Sequence, residues 1–327
     1  MEINSFVSSG SGVIIVHEAL EKNIYGYKLK KYNPKLEFFP FLIPVLCKNE
    51  NADIIHTVPD YACFIPKKKS KLIITFHNYV LDNFMQQYSS FYQKIHYKID
   101  LKLFIKKSLE KADVVTAVSK FTANIVKKDL KYKGDIKVIY NGIDTELFKP
   151  LKKKNSDGQI IRVLFSGNLT KRKGAHWLVD IAKRLEDNII IYYTAGLRTR
   201  NRLPNTEKLK SIGKIKYCDM PKLYQSMDIL LVPTIREGCP LSVLEAMSCG
   251  LPIIASNCSS IPELVEDDVC GYLCKVGDVD NFANKINLLS ENFSKRNRLS
   301  KSARLKILSD YKIEDMILKY SNLFFSI

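Results

Sequence analysis

No run of eighteen apolar residues occurs in the 327-residue chain, so a membrane-spanning helix is not expected. The opening Met1-Glu2-Ile3-Asn4-Ser5-Phe6 has neither a basic leader nor a long apolar stretch. That argues against a secretory signal and for a cytosolic location, with the inner membrane face as an alternative site of work. No C-x-x-C pair exists among the eight cysteines, Cys47, Cys63, Cys218, Cys239, Cys249, Cys258, Cys270 and Cys274. Cys270 and Cys274 lie close together, but no second pair or histidine cluster completes a zinc set, so buried free thiols in a reducing compartment are expected. No arginine precedes Arg162, so lysine alone carries the basicity of the first half. Finger spacing, a basic zipper and an aromatic RNA-binding signature are all missing, which leaves the net charge of +17 as the only argument for nucleic acid. Phosphate-bearing substrates and an anionic membrane surface suit the same charge, and a lysine-rich genome would supply part of it without any function.

What is present is enough apolar material, 46% of the residues, to bury a large core, and the length suits two domains better than one. Strand-like runs alternate with amphipathic segments: strands over 3–7, 52–56, 71–77, 112–118 and 136–140, and helices over 13–22, 86–111 and 120–130. The polar stretch from Lys149 to Gly158 reads as a break, after which the pattern restarts. Strands are expected over 162–166, 189–193, 214–217, 229–232 and 252–255, with helices over 175–186, 221–227, 242–249 and 262–265. From about Asn281 the chain is helical. This alternation predicts an α/β protein of two Rossmann-like doubly wound domains facing each other across a cleft. The expected boundaries are 1–150, a linker over 151–158, a second domain over 159–310, and a helix over 311–327 packing back on the first domain.

Two carboxylates carry the most information. In Arg236-Glu237-Gly238-Cys239-Pro240-Leu241-Ser242-Val243-Leu244-Glu245, an apolar strand ending at Pro233 precedes, and the helix stop Gly250-Leu251-Pro252 follows. The first acid therefore sits in a tight loop and the second in the opening turn of a short helix. Acids accept hydrogen bonds from hydroxyls, and helix-end N–H groups receive phosphates, so a sugar joined to a diphosphate fits this pattern. The plainer alternative is that Ser242 and Glu245 form a capping box and Glu237 is a solvated loop acid. Upstream, Ser166-Gly167-Asn168-Leu169-Thr170-Lys171-Arg172-Lys173-Gly174 follows a strand and precedes a helix. Its glycines permit a tight turn, and its three consecutive cations would neutralise a leaving diphosphate. The alternative is a solvated basic turn. It is not a P-loop, since no Gly-Lys-Ser/Thr is present.

The order of short motifs resembles one family over nearly the whole chain. Asp53-Ile54-Ile55-His56, Thr75-Phe76-His77, Ala117-Val118-Ser119 and Ile139-Tyr140-Asn141-Gly142-Ile143-Asp144 come first. Gly167 to Lys173-Gly174, Pro233-Thr234, Glu237-Gly238, Glu245-Ala246-Met247, Gly250 to Ala255 and Ile261 to Val265 follow in sequence. This looks like the retaining GT-B glycosyltransferases with an E-x7-E motif, called group 1 or family 4. The resemblance implies transfer of a hexose-type sugar from a UDP- or GDP-linked donor to a glycan or lipid-linked acceptor hydroxyl. It implies no cofactor and no metal. Position by position, it implies that Glu237 binds sugar hydroxyls, Glu245 the ribose hydroxyls and Lys173 the diphosphate. The backbone N–H groups of Gly238, Cys239, Leu241 and Ser242, with Pro240 between them offering none, would meet sugar and phosphate. His77 would lie beside the sugar, with Gly10 and Gly12 near the phosphates. Loops near Ala195-Gly196 and Tyr217-Cys218 would contact the base. It further implies a front-face path, in which the leaving phosphate oxygen takes the acceptor proton, rather than a covalent intermediate.

Three departures stand out. Asn168 occupies the position where the family usually has arginine, and Arg172 is the candidate to replace it. Cys239 replaces a common aromatic or small residue. The N-terminal region is short. Readings that compete with the transferase are a partner subunit that has lost turnover, a GT-B epimerase or phosphorylase, and a basic nucleic-acid-binding protein. His77 alone also reads as a capped strand-end histidine, His56 as structural, and His17, His96 and His176 as surface or packing residues. The segment 86–111 reads either as a core-packing helix with a basic face or as an interfacial helix on anionic lipid.

Overall fold

In the computed structural model the described residues are 1–9, 12–46, 52–88, 100–151, 160–196 and 203–327. They divide into two compact units, one made of Met1–Gly142 with Ile313–Ile327, the other of Ile143–Lys312. Each is built on one parallel six-stranded sheet. The first carries β1 (Ile3–Ser8), β2 (Tyr27–Tyr32), β3 (Ile54–Thr57), β4 (Lys71–Phe76), β5 (Val114–Ala117) and β6 (Lys137–Val138). The order is β2-β1-β3-β4-β5-β6. The second carries β7 (Ile161–Phe165), β8 (Ile189–Thr194), β9 (Leu209–Gly213), β10 (Ile229–Val232), β11 (Ile253–Ser256) and β12 (Gly271–Cys274), in the order β12-β11-β10-β7-β8-β9.

Chain direction reverses beside the first strand of each sheet. From β7 the chain builds outward through β8 and β9, then returns to place β10 on the other side of β7, with Ile229 opposite Val163. β1 likewise separates β2 from β3. Where the winding direction changes, the loops leaving two adjacent strands part in opposite directions and open a crevice beyond the strand ends. Both crevices lie where sequence motifs fall.

The central strands are covered on both faces, which is why they read as unbroken apolar runs rather than as alternating ones. Ile55, Leu72 and Ile74 are buried in one core, and Val163, Ile191, Leu231 and Ile254 in the other. Burying each such side chain contributes about 1.5–3 kcal/mol before chain entropy is charged. The helix Ile313–Phe325 adds Met316, Tyr320, Leu323 and Phe324 to the first unit's interior.

Several local expectations are corrected. The strand expected over 214–217 is observed at Leu209–Gly213. Leu209 is fully buried opposite Ile191, and Gly213 ends the strand at φ 72, whereas the stretch after it has no comparable anchor. The helix expected over 175–186 is a 3-10 turn, Ala175–Trp177, followed by a short α-helix, Leu178–Ala182. Strands β2 and β12 had no strand reading. β2 interleaves lysines with its apolar residues at a sheet edge, and β12 is only four residues long. Of the segment 86–111, residues 89–99 lie outside the described residues, as do Cys47, His96 and most of the 151–158 linker. The described part, helix Lys102–Lys111, buries Ile105, Ser108 and Leu109 in the core of the first unit. Among the described residues, no helix is long and apolar enough to cross a membrane.

Candidate active site

The chemistry-bearing motifs of the second unit meet at the β7/β10 crevice. After β7, Gly167 adopts φ 148 and the loop ends in a 3-10 turn, Lys171–Lys173, in which Lys173 N donates to the Thr170 hydroxyl at 3.3 Å. Gly174 follows at φ 75, and a Cβ there would lie 1.7 Å from the carbonyl oxygen of Pro233. Only glycine allows this turn to lie against the loop leaving β10. The two loops are then joined: Ile235 N donates to Arg172 O at 2.8 Å. Thr234 Oγ1 lies 3.0 Å from Arg172 O and 2.8 Å from Glu237 Oε1.

Glu237 is the node. Its side chain is nearly enclosed, and Lys173 Nζ sits 2.7 Å from Oε1, with Arg172 Nη1 at 3.6 Å. Arg172 Nη1 also donates to Arg236 O at 2.7 Å. The third loop, after β11, fixes the Glu237 backbone: Glu237 N donates to Ser259 Oγ at 2.9 Å, and Ser260 Oγ donates to Glu237 O at 3.2 Å. Burial alone would raise the carboxyl, but Lys173 and then Arg172 hold it below the usual glutamate range. Two cations against one carboxylate leave positive charge in excess, which suits an arriving anion. Every described contact of the carboxylate falls on Oε1, so Oε2 keeps its acceptor capacity for a hydroxyl.

The helix Leu241–Ser248 begins just after Gly238, Cys239 and Pro240, with Pro240 as its first cap residue and no side-chain cap. Ser242 therefore lies inside the helix, and the capping-box reading of Ser242 and Glu245 does not hold. Glu245 is buried and accepts a 2.7 Å hydrogen bond from Tyr224 Oη, which also lies 3.5 Å from Ser166 Oγ at the end of β7. Burial pushes Glu245 up to about 7, although the Tyr224 hydrogen bond acts the other way. The far end of this helix is tied down by Arg304, whose Nη1 donates to Ser248 O and Phe148 O, both at 2.9 Å. A cation on helix-end carbonyls is the favourable polarity.

Asn168 packs on Gly196: a Cβ at Gly196 would lie 2.2 Å from Asn168 Oδ1. The side chain is therefore directed at β8's exit loop, while Arg172 reaches the Glu237 corner.

Three sequence-derived candidates belong to the first unit, Gly10, Gly12 and His77. Gly12 precedes helix Val13–Asn23 with open space around it, and Gly10 lies outside the described residues. His77 directly follows β4, is half-buried, and its Nε2 lies 3.3 Å from His17 Nε2. His17 is fully buried, so of its surface and packing readings the packing one holds, and His56 is buried beside it. Ser259 and Ser260 had one faint signal, a run of small polar residues between a strand and a helix. Tyr224 had none, because it reaches Glu245 from a different helix. Among the described residues, no three His, Cys, Asp or Glu side chains converge so as to hold a metal ion.

With this geometry established, the comparisons with known proteins decide the family. The signature of the glycosyl transferases group 1 matches residues 148–306, and that of glycosyltransferase family 4 matches residues 11–147. The chain is a group 1, family 4 glycosyltransferase of the GT-B fold. The N-acetyl-alpha-D-glucosaminyl L-malate synthase of Bacillus anthracis is 24% identical, over 94% of this chain and 83% of that protein. The N,N'-diacetylbacillosaminyl-diphospho-undecaprenol alpha-1,3-N-acetylgalactosaminyltransferase of Campylobacter jejuni is 27% identical, over 86% of this chain and 79% of that one. Among solved structures, Anabaena HepE in complex with UDP and glucose superposes with a TM-score of 0.77 at 20% identity, over 100% of both chains. At 20% identity the HepE likeness speaks for the shared fold.

Proposed function

We propose that this glycosyltransferase moves a hexose-type sugar from a UDP- or GDP-linked donor to a hydroxyl of a glycan or lipid-linked acceptor, retaining the anomeric configuration and using no metal. The observation that carries the reading is the Glu237 corner: a buried carboxylate with one oxygen engaged by two cations and the other open to a hydroxyl. In this reading Lys173 and Arg172 receive the diphosphate and stabilise it as it leaves, and Glu237 Oε2 accepts from a sugar hydroxyl. The N–H groups from Gly238 to Ser242 add the helix N-terminus to the same anion. Glu245 accepts from the ribose, with Tyr224 holding its other face. His77 approaches the sugar from the acceptor side.

Transfer proceeds at the front face, the leaving phosphate oxygen taking the acceptor proton while the carbon–oxygen bond to the diphosphate breaks. Neither acid needs to act as a covalent nucleophile. The HepE complex holds UDP and glucose, and the Campylobacter relative's name includes diphospho-undecaprenol. Both favour a nucleotide-sugar enzyme of glycan or glycolipid assembly, working in the cytoplasm or at the inner membrane face. The excess of lysine suits peripheral contact with anionic lipid.

Thermal unfolding with UDP, GDP and ADP in metal-free buffer tests this. A ligand at about 100 times its Kd stabilises by about 2.7 kcal/mol, so one nucleotide diphosphate should stand clearly ahead. Failure of all three to shift the transition would favour a partner subunit that keeps the fold without turnover.

A further inference from the structure

The parallel sheet of the first unit carries a continuous buried chain of polar side chains that the proposed function leaves unused. Thr116 Oγ1 lies 2.7 Å from Thr75 Oγ1, which lies 2.8 Å from His56 Nε2. His56 Nδ1 is 2.8 Å from Tyr27 Oη, and Tyr27 Oη is 2.8 Å from His17 Nδ1. Ser5 Oγ flanks that last nitrogen at 2.7 Å. His17 Nε2 then meets His77 Nε2 at 3.3 Å. Ser5, His17, His56, Thr75 and Thr116 are completely buried. Tyr320 and Phe324 of the helix Ile313–Phe325 stack against His56 at ring separations of 5.4 and 5.5 Å and help close the site.

We propose that His17 is a positioning residue for the transfer: through a one-way chain of hydrogen bonds it fixes His77 as the neutral tautomer with its proton on Nδ1. The inference rests on the reading that His77 approaches the sugar. Burial keeps all three rings uncharged at neutral pH, with His56 lowered to about 3 and His77 to about 4. A neutral imidazole donates from one nitrogen and accepts at the other, so each ring passes the direction of the chain onward. Two directions exist. If donation ran inward from His77, Thr75 would donate to Thr116, and the Thr116 hydroxyl hydrogen would have no acceptor among the described residues. A buried hydroxyl hydrogen left unpaired is costly, whereas a spare lone pair is not. Donation outward satisfies every step: Thr116 to Thr75, Thr75 to His56 Nε2, His56 Nδ1 to Tyr27, Tyr27 to His17 Nδ1, and His17 Nε2 to His77 Nε2, with the Ser5 hydroxyl donating to the Tyr27 oxygen. With Nε2 of His77 thereby made an acceptor, its Nδ1–H is the group left to donate to a sugar or phosphate oxygen.

Long-range nitrogen–proton NMR on the histidine-labelled, unliganded protein reads the tautomers directly. His77 should be neutral with a protonated Nδ1, and a protonated Nε2 overturns the proposal. The variants His17→Gln and His17→Asn then separate position from packing. The Gln amide reaches the place of the outer ring nitrogen and can still donate to His77, whereas the Asn amide reaches only the inner one. Turnover should stay within about threefold in His17→Gln and fall by about tenfold or more in His17→Asn, with the donor KM within about twofold in both. The His77 signals should average between tautomers only in His17→Asn. Equal losses in the two variants, with the His77 tautomer unmoved in both, overturn the positioning role. Full turnover in His77→Ala, with the wild-type protein showing the expected tautomers, would sink the sugar-side reading of His77 and with it the role of His17 in transfer, leaving only the hydrogen-bond direction.

Discussion

Removing the Lys173 ammonium would strand a carboxylate that is almost out of solvent. In Lys173→Ala, Glu237 keeps the Thr234 hydroxyl at 2.8 Å and the Arg172 guanidinium at 3.6 Å, but loses its closest cation. Breaking a buried pair from one side typically costs about 3–5 kcal/mol, and the remaining Arg172 points to the lower end, about 3 kcal/mol. For a domain of this size that is a fall in Tm of about 6–12 °C. The single tryptophan is well placed to report it: Trp177 closes the turn after Gly174 and belongs to the same unit as the ion pair. Urea unfolding followed by its fluorescence measures the loss. Adding Glu237→Gln to Lys173→Ala removes the stranded charge, so the double variant should recover about 2 kcal/mol of the deficit. Additive losses would refute the coupling and with it the view that Lys173 exists partly to neutralise Glu237. The same variant bears on the ligand. Nucleoside diphosphate binding should weaken by about 1.5–3 kcal/mol, the scale of a charge-assisted contact, and an unaltered Kd would place the diphosphate elsewhere.

Glu237→Gln alone should cut turnover by more than about tenfold while the Trp177 transition persists, since the amide keeps the shape but offers one fewer acceptor. Unchanged turnover would remove this residue from the site. Gly174→Ala should destabilise the second unit by several kcal/mol, about 2–4, because the φ of 75 and the Pro233 carbonyl both oppose a Cβ. A stability equal to wild type would mean that the two loops separate freely. His56 is held near 3 in the folded chain against 6.5 when unfolded, first by burial and then by His77. Its contribution is therefore complete above 6.5 and is lost as pH falls towards 3, by about 2 kcal/mol at pH 5. Asp60, raised to about 7 by burial and by Glu37, works in the opposite sense over pH 7 to 4, so the quantity to read is the difference between His56→Asn and wild type. Stability of the variant, measured by circular dichroism in urea, should be flatter with pH by about 1.4 kcal/mol per unit between pH 6 and 4. Parallel curves would show that His56 titrates as it does in water.

The sequence made the corner at Glu237 legible because its parts are local. A strand, a short loop and a helix place Glu237 and Glu245 whatever else the chain does, and a strand followed by a glycine-bounded basic turn places Lys173. What could not be read was which oxygen of which acid each neighbour would touch. Thr234 was visible as a residue, but its hydroxyl gains its role only when Gly174 lets the β7 loop lie against Pro233. Tyr224 and Arg304 support the site helix from elements 21 and 56 residues away from their partners Glu245 and Ser248. No periodicity or motif in either carries that information. The failed strand at 214–217 has the same origin, since alternation alone could not show that Leu209, and not a later residue, would be the one buried against Ile191.

The histidines make the point more sharply, because there the local reading left two outcomes open. A lone histidine in a helix reads as a surface or a packing residue, and nothing local chooses between them. His17 is buried only because β2, an edge strand with no strand reading of its own, brings Tyr27 over it, and because β3 and β4 bring His56 and Thr75 alongside. The cost of burying that many polar groups is acceptable only if they satisfy one another, so the network must form as a whole or not at all. A cluster of this kind fixes proton positions as firmly as it fixes side chains. That gives the first unit a rigid way to decide whether His77 donates a hydrogen bond or accepts one.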